Sequence, residues 1–184
     1  MLVIVLVIVL VAVACYWAKS SKFLNKPLQY QVQNLESKQD AKLMLNIIHQ
    51  RILKLRDFLR QNIDSFPEYK PYINTFCKKI DNLILVENGP HSKYTSYTIN
   101  KGDLMALCLR SGKSGKLHDL NLIMYVVIHE LAHIACPDIN HTPLFKKIFV
   151  FFLKVSMDIG IYQKVEYDIN PHEYCGMVIT EALI

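Results

Sequence analysis

The most restrictive feature of this sequence is His129-Glu130-Leu131-Ala132-His133, two histidines four residues apart with a glutamate after the first, set at the end of an apolar run. Met124, Tyr125, Val126, Val127 and Ile128 precede it, so a helix here must sit in a core. Residues four apart share one helical face. Burying two free imidazoles and a carboxylate is costly unless something pairs them. A metal ion removes that cost, because both imidazoles can reach one Zn²⁺ at about 2.0–2.1 Å. Glu130 is then placed as the general base that takes a proton from a water. Average residue usage makes a chance HExxH uncommon in a chain of 184 residues.

A catalytic zinc usually has three protein ligands and one open position. His141 is the first candidate for the third ligand, since the residues between it and His133 let the chain leave the helix and fold back. Glu173, His172 and Cys136 are the alternatives. Binding by both Cys136 and His141 would close the shell and make the site structural.

Residues 2–18 contain no charge, glycine or proline. At 1.5 Å per residue they span roughly 25 Å, close to a hydrocarbon core. Tyr16 and Trp17 suit the headgroup level, and Lys19, Lys22 and Lys26 lie only on the C-terminal side. The expectation is a transmembrane helix over residues 1–18, a tether over 19–27 and one globular domain over 28–184. The lysines place that domain on the cytoplasmic side of a single-pass membrane protein. The rival is a cleaved signal peptide ending before Cys15. The five cysteines are odd in number and scattered, with no CxxC spacing. They predict no disulfide framework and agree with a reducing compartment.

Alternation at Leu28, Tyr30 and Val32 predicts a half-buried strand. Ser37 followed by Asp40 is a loose capping box for a helix to about Gln61, with Leu43, Ile47, Ile48, Ile52, Leu55 and Leu59 at helical spacing. Its other face carries Lys42, Arg51, Lys54, Arg56 and Arg60, read as a solvated face; a nucleic-acid or lipid patch is the alternative. With a net charge of +5, association with nucleic acid has weak support. His49 is read as structural. Residues 67–80 predict a shorter helix, 83–87 a strand, and 94–99 with 104–110 a hairpin. Residues 111–116 lack the spacing of a phosphate-binding loop and are read as a flexible turn. Asp119 and Thr142 are the expected caps of helices over 120–135 and from Pro143 through Phe152.

HExxH followed by His141-Thr142-Pro143-Leu144-Phe145, with Ser96-Tyr97-Thr98-Ile99-Asn100-Lys101-Gly102, Leu107-Cys108-Leu109-Arg110 and Tyr174-Cys175-Gly176-Met177, resembles the WLM and SprT-like zincins. It is most similar to a membrane-anchored group of WLM-like metallopeptidases encoded by large DNA viruses. The resemblance implies an α+β zincin-like domain with a small antiparallel sheet and an HExxH active-site helix. It implies zinc binding by the matching histidines His129, His133 and His141, and catalysis by Glu130. It also implies a hairpin edge strand, over 104–110, that binds an extended peptide by β-augmentation. Tyr174 could stabilise an oxyanion and Met177 could form a hydrophobic floor under the metal. Relatives often carry Trp where Lys146 stands here, which bears on the substrate cleft.

The function expected is a membrane-anchored zinc endopeptidase acting on a protein or peptide substrate, with residues 2–18 in the membrane. Two other classes remain open. One is a non-catalytic zinc-binding component of a virion membrane. The other is a DNA-associated SprT-like protease, which needs a nucleic-acid surface. Nothing in the sequence sets the oligomeric state.

Overall fold

Apolar spacing along the chain accounts for the elements of this computed structural model, which describes residues 30–89 and 92–180. Helix α1 (Lys38–Gln61) buries Ala41, Leu45, Ile48, Ile52, Leu55 and Leu59 completely along one stripe. Ser37 does not cap it. That residue adopts a left-handed backbone (φ 61°) and its side chain accepts no cap hydrogen bond, so the capping-box expectation fails. The basic face is engaged within the fold. Arg51 and Lys54 donate to the carbonyls of Ile161 and Ile159 at 2.9 and 2.7 Å, and Arg56 and Arg60 pair with Asp81 at 3.1 and 3.0 Å. His49 is buried, with its Nδ1 3.1 Å from the Tyr30 hydroxyl, in keeping with a structural role.

Two short 3-10 turns, Ile63–Ser65 and Pro67–Tyr69, lead into helix α2 (Lys70–Ile80). Strand β1 (Ile84–Glu87) follows, then β2 (Tyr97–Ile99) and β3 (Leu104–Leu107). The β2–β3 hairpin is antiparallel as expected, but β3 lies in the centre and runs parallel to β1, from Ile84 opposite Leu104 to Glu87 opposite Leu107. The sheet is therefore mixed, and the expected edge strand over 104–110 is interior. β2 forms the edge instead. The turn between them is left-handed at Asn100, Lys101 and Gly102, with φ of 50°, 52° and 118°. A Cβ on Gly102 would stand 3.1 Å from Lys79 Cβ and 3.2 Å from Ile134 Cγ2, so the close approach of this turn to the next helix needs glycine.

That helix is α3 (Leu120–Ala135), packed against α2, the sheet and helix α4 (Pro143–Asp158). Asp119 caps α3, its Oδ1 accepting the N–H groups of Asn121 and Leu122 at 2.8 and 3.1 Å. Thr142 caps α4 by accepting the Phe145 N–H at 3.2 Å, with Pro143 in the first turn. After α4 a second, two-stranded sheet pairs β4 (His172–Tyr174) with β5 (Met177–Ile179). Of the strand expected around Tyr30 and Val32, only a single bridge from Gln31 to Val86 forms. A buried ion pair fixes this segment: Glu87 receives Arg110 at 2.8 Å and the Gln33 N–H at 2.7 Å, and Arg110 also donates to the Glu36 carbonyl.

Two expectations are corrected. Cys108 and Cys175, 67 residues apart, form a disulfide, while Cys77 and Cys136 are free and buried. The scattered spacing hid this pair because its partners meet only after β3 and the terminal hairpin pack together. The inference from cysteine spacing to a reducing, cytoplasmic compartment falls with it. The single-pass membrane reading is also corrected: among the described residues no helix is long and apolar enough to cross a membrane. The segment over 1–18 that suggested an anchor, the tether over 19–27, Leu28 and Cys15 lie outside the described residues.

Candidate metal centre

The last two turns of α3 carry the motif. His129 and His133 project from the same face, with Nε2 atoms 3.2 Å apart. The Nε2 of His141 lies 3.0 Å from that of His129 and 3.2 Å from that of His133. Three imidazole nitrogens thus converge on one point. A tetrahedral ion with bonds of about 2.0–2.1 Å holds its ligand nitrogens roughly 3.4 Å apart, so the triad fits Zn²⁺ with only tenths of an ångström of adjustment. Burial and the neighbouring imidazoles pull His129 down to about 3 and His133 down to about 4, for which burial and His141 are the main causes. Both are therefore neutral at ordinary pH, the form that ligates a metal.

His141 reaches this point because the chain after α3 is held on both sides. The Lys101 ammonium, on the β2–β3 turn, donates to the carbonyls of Cys136, Pro137 and Asp138 at 2.7, 2.8 and 3.2 Å. The Asp138 carboxylate accepts the Thr142 hydroxyl at 2.7 Å, which ties the loop to the α4 cap. Asn140 makes the remaining bend with φ 70°. Neither Lys101 nor Asp138 was signalled by the sequence, since each acts through its fold position.

Phe145 forms the apolar wall of the triad. Its ring stacks on His133 at 4.1 Å and lies 5.0 and 4.9 Å from the rings of His129 and His141. The floor expected of Met177 is absent, because that residue is half exposed on β5 and meets the Thr95 hydroxyl. The other third-ligand candidates lie elsewhere. Cys136 is buried at the end of α3, His172 meets the Asn170 carbonyl at 2.8 Å, and Glu173 accepts the Gly176 N–H at 2.7 Å.

Glu130 is buried beside the triad, and desolvation raises its carboxyl to about 7. Tyr174 is fully buried, its hydroxyl donating to the Cys108 carbonyl at 2.9 Å and lying 2.7 Å from Ser96 Oγ. Burial raises its pKa, and the Glu130 charge adds to that rise. A groove of about 450 Å³ opens on the triad between the β2 edge and the loop after α3, lined by Thr98, Asn100, His133, Ile139 and His141.

The fold is α+β with small sheets, matches that of Wss1, and carries the HExxH residues on α3. Saccharomyces cerevisiae Wss1 superposes with a TM-score of 0.52 at 18% identity, covering 73% of this chain and 92% of that one; a Wss1 mutant gives the same score. No family model matches the sequence. The chain belongs to the family of uncharacterized protein R325 of Acanthamoeba polyphaga mimivirus, 50% identical over 190 residues that cover 98% of this chain and 95% of that protein. Uncharacterized proteins 042R of Invertebrate iridescent virus 3 and 136R of Invertebrate iridescent virus 6 are 40% and 34% identical over 45% of the chain each, and 48% and 45% of their own lengths.

Proposed function

We propose that this protein is a zinc-dependent endopeptidase that uses His129, His133 and His141 as metal ligands and Glu130 as general base. The observation that carries the reading is the convergence of three imidazole nitrogens within 3.0–3.2 Å of one another, with a buried carboxylate on the residue next to His129. The fold shared with Wss1 supports it, together with the resemblance of the HExxH and His141–Phe145 motifs to the WLM zincins. When bound, zinc supplies a Lewis acid that polarises a carbonyl and makes water acidic near neutral pH.

The chain's own residues do the rest. Glu130 accepts the proton of the attacking water and passes it to the leaving amine. Among the described residues β2 is the outer strand of the sheet beside the groove, so an extended substrate can add along it as a further strand with its scissile bond over the triad. Tyr174 would reach a developing oxyanion only by giving up its bonds to Cys108 and Ser96; in this reading its first effect is to hold the β4–β5 hairpin against the sheet.

The test is Glu130→Gln in the full chain, which keeps shape and removes basicity. Zinc content should stay near that of the wild type while hydrolysis of a denatured-protein library falls by about two to four orders of magnitude. Equal cleavage by the two proteins removes Glu130 from the mechanism. A wild type that binds zinc but cleaves nothing above the mutant's background supports a non-catalytic zinc protein instead.

A further inference from the structure

A second cluster of metal-binding side chains lies apart from the histidine triad. Cys108, just after β3, His118, one residue before the α3 cap, and Cys175, in the β4–β5 turn, bring their Sγ, Nε2 and Sγ atoms within 4.8 Å of one another. His118 Nε2 accepts the Cys175 N–H at 3.3 Å, so this ring nitrogen carries the lone pair, and it stands 3.3 Å from Cys175 Sγ. Both sulfurs are 3.3 Å from the Arg110 carbonyl oxygen, which gives each S–H of a reduced pair an acceptor. His118 is buried beside the two sulfurs. Two thiolates and an imidazole are a donor set that favours zinc over harder cations.

We propose that Cys108, His118 and Cys175 supply three ligands of a second zinc site, with water in the fourth position, that exists in the reduced protein and is exclusive with the Cys108–Cys175 disulfide. The exchange balances with a dithiol as reductant. The dithiol becomes a disulfide and gives up two electrons and two protons, the Cys108–Cys175 bond breaks, and both residues become thiols. Zinc binding then releases those two protons and leaves two thiolate ligands. Zn–S bonds of about 2.3 Å in a tetrahedral shell set the sulfurs roughly 3.8 Å apart. The two Cα atoms are 6.4 Å apart, a spacing that accommodates this gap by side-chain rotation. Either state ties Cys175 to Cys108, so the hairpin carrying Tyr174 stays fastened to the sheet in oxidising and reducing surroundings alike.

The experiment measures bound metal in the full chain after dialysis, with zinc for stoichiometry and Co²⁺ as the optical probe. Dithiol-reduced wild type should hold one more zinc per chain than oxidised wild type. The reduced His129→Ala/His133→Ala variant should keep that zinc and, with Co²⁺, show a thiolate-to-metal charge-transfer band. Reduced Cys175→Ser and His118→Ala should lose the band. Equal zinc in oxidised and reduced wild type overturns the proposal, as does a band that survives in Cys175→Ser. The redox comparison needs no variant to fold, and the triad-deficient variant separates this site from the proposed catalytic one.

Discussion

His141 is the exposed member of the triad, and a loop residue must be aimed by its surroundings before it can ligate. Thr142 and Asp138 hold the backbone on one side of it, and the Phe145 ring limits its rotation on the other. His141→Ala should weaken zinc binding by more than the roughly 10–100-fold that follows loss of an outer-shell partner. Cys136→Ser should change it little, since Cys136 is outside the converging nitrogens. Zinc titration against a competing chelator compares the two, and equal losses would indicate a closed four-ligand site. A second residue-scale consequence concerns Arg110, whose buried guanidinium balances a Glu87 side chain with no exposure. Removing one partner of such a pair strands the other charge. Arg110→Met should therefore cost about 3–5 kcal/mol, measured by denaturant unfolding, and Glu87→Gln in the same chain should recover part of it. A loss below about 1 kcal/mol would show that the pair is not buried in solution.

Among the elements, the β2–β3 turn bears on the candidate metal centre through the loop that carries His141. Its left-handed residues bring Lys101 over the C-terminus of α3, where one ammonium satisfies three carbonyls that the helix end and loop leave without helical partners. Lys101→Met keeps the aliphatic stem and removes those bonds. Zinc affinity should fall by about 10–100-fold, the scale of an outer-shell partner, while α3 and the core remain. Calorimetric zinc titration with circular dichroism as the fold control checks this. An unchanged affinity would mean that the α4 cap alone positions His141.

For the molecule as a whole, the triad brings α3 together with the loop that leads into α4, so a metal held there would couple its binding to folding. A ligand that binds only the folded state stabilises it by about 2.7 kcal/mol at one hundred times its dissociation constant. For a chain of this size that corresponds to a melting-temperature rise of roughly 5–10 °C. Chelation should lower the melting temperature by that amount and zinc should restore it, while a scan insensitive to chelator would argue against a bound metal in the folded protein. What the sequence determined by itself was local in origin. Periodic apolar residues specified α1 and α3, Asp119 and Thr142 set helix starts, and the four-residue spacing placed His129 and His133 on one face. Such features follow from backbone geometry within a turn or two of helix. Ser37 shows the limit even there, since a left-handed backbone turned a plausible cap aside. Tertiary structure alone decided the parallel pairing of β1 with β3, the edge position of β2, the Cys108–Cys175 pair with His118 beside it, and the lysine that holds the ligand loop. Each of these joins residues far apart in the chain, and contacts of that kind are selected by the packing of the whole core, which no local pattern encodes.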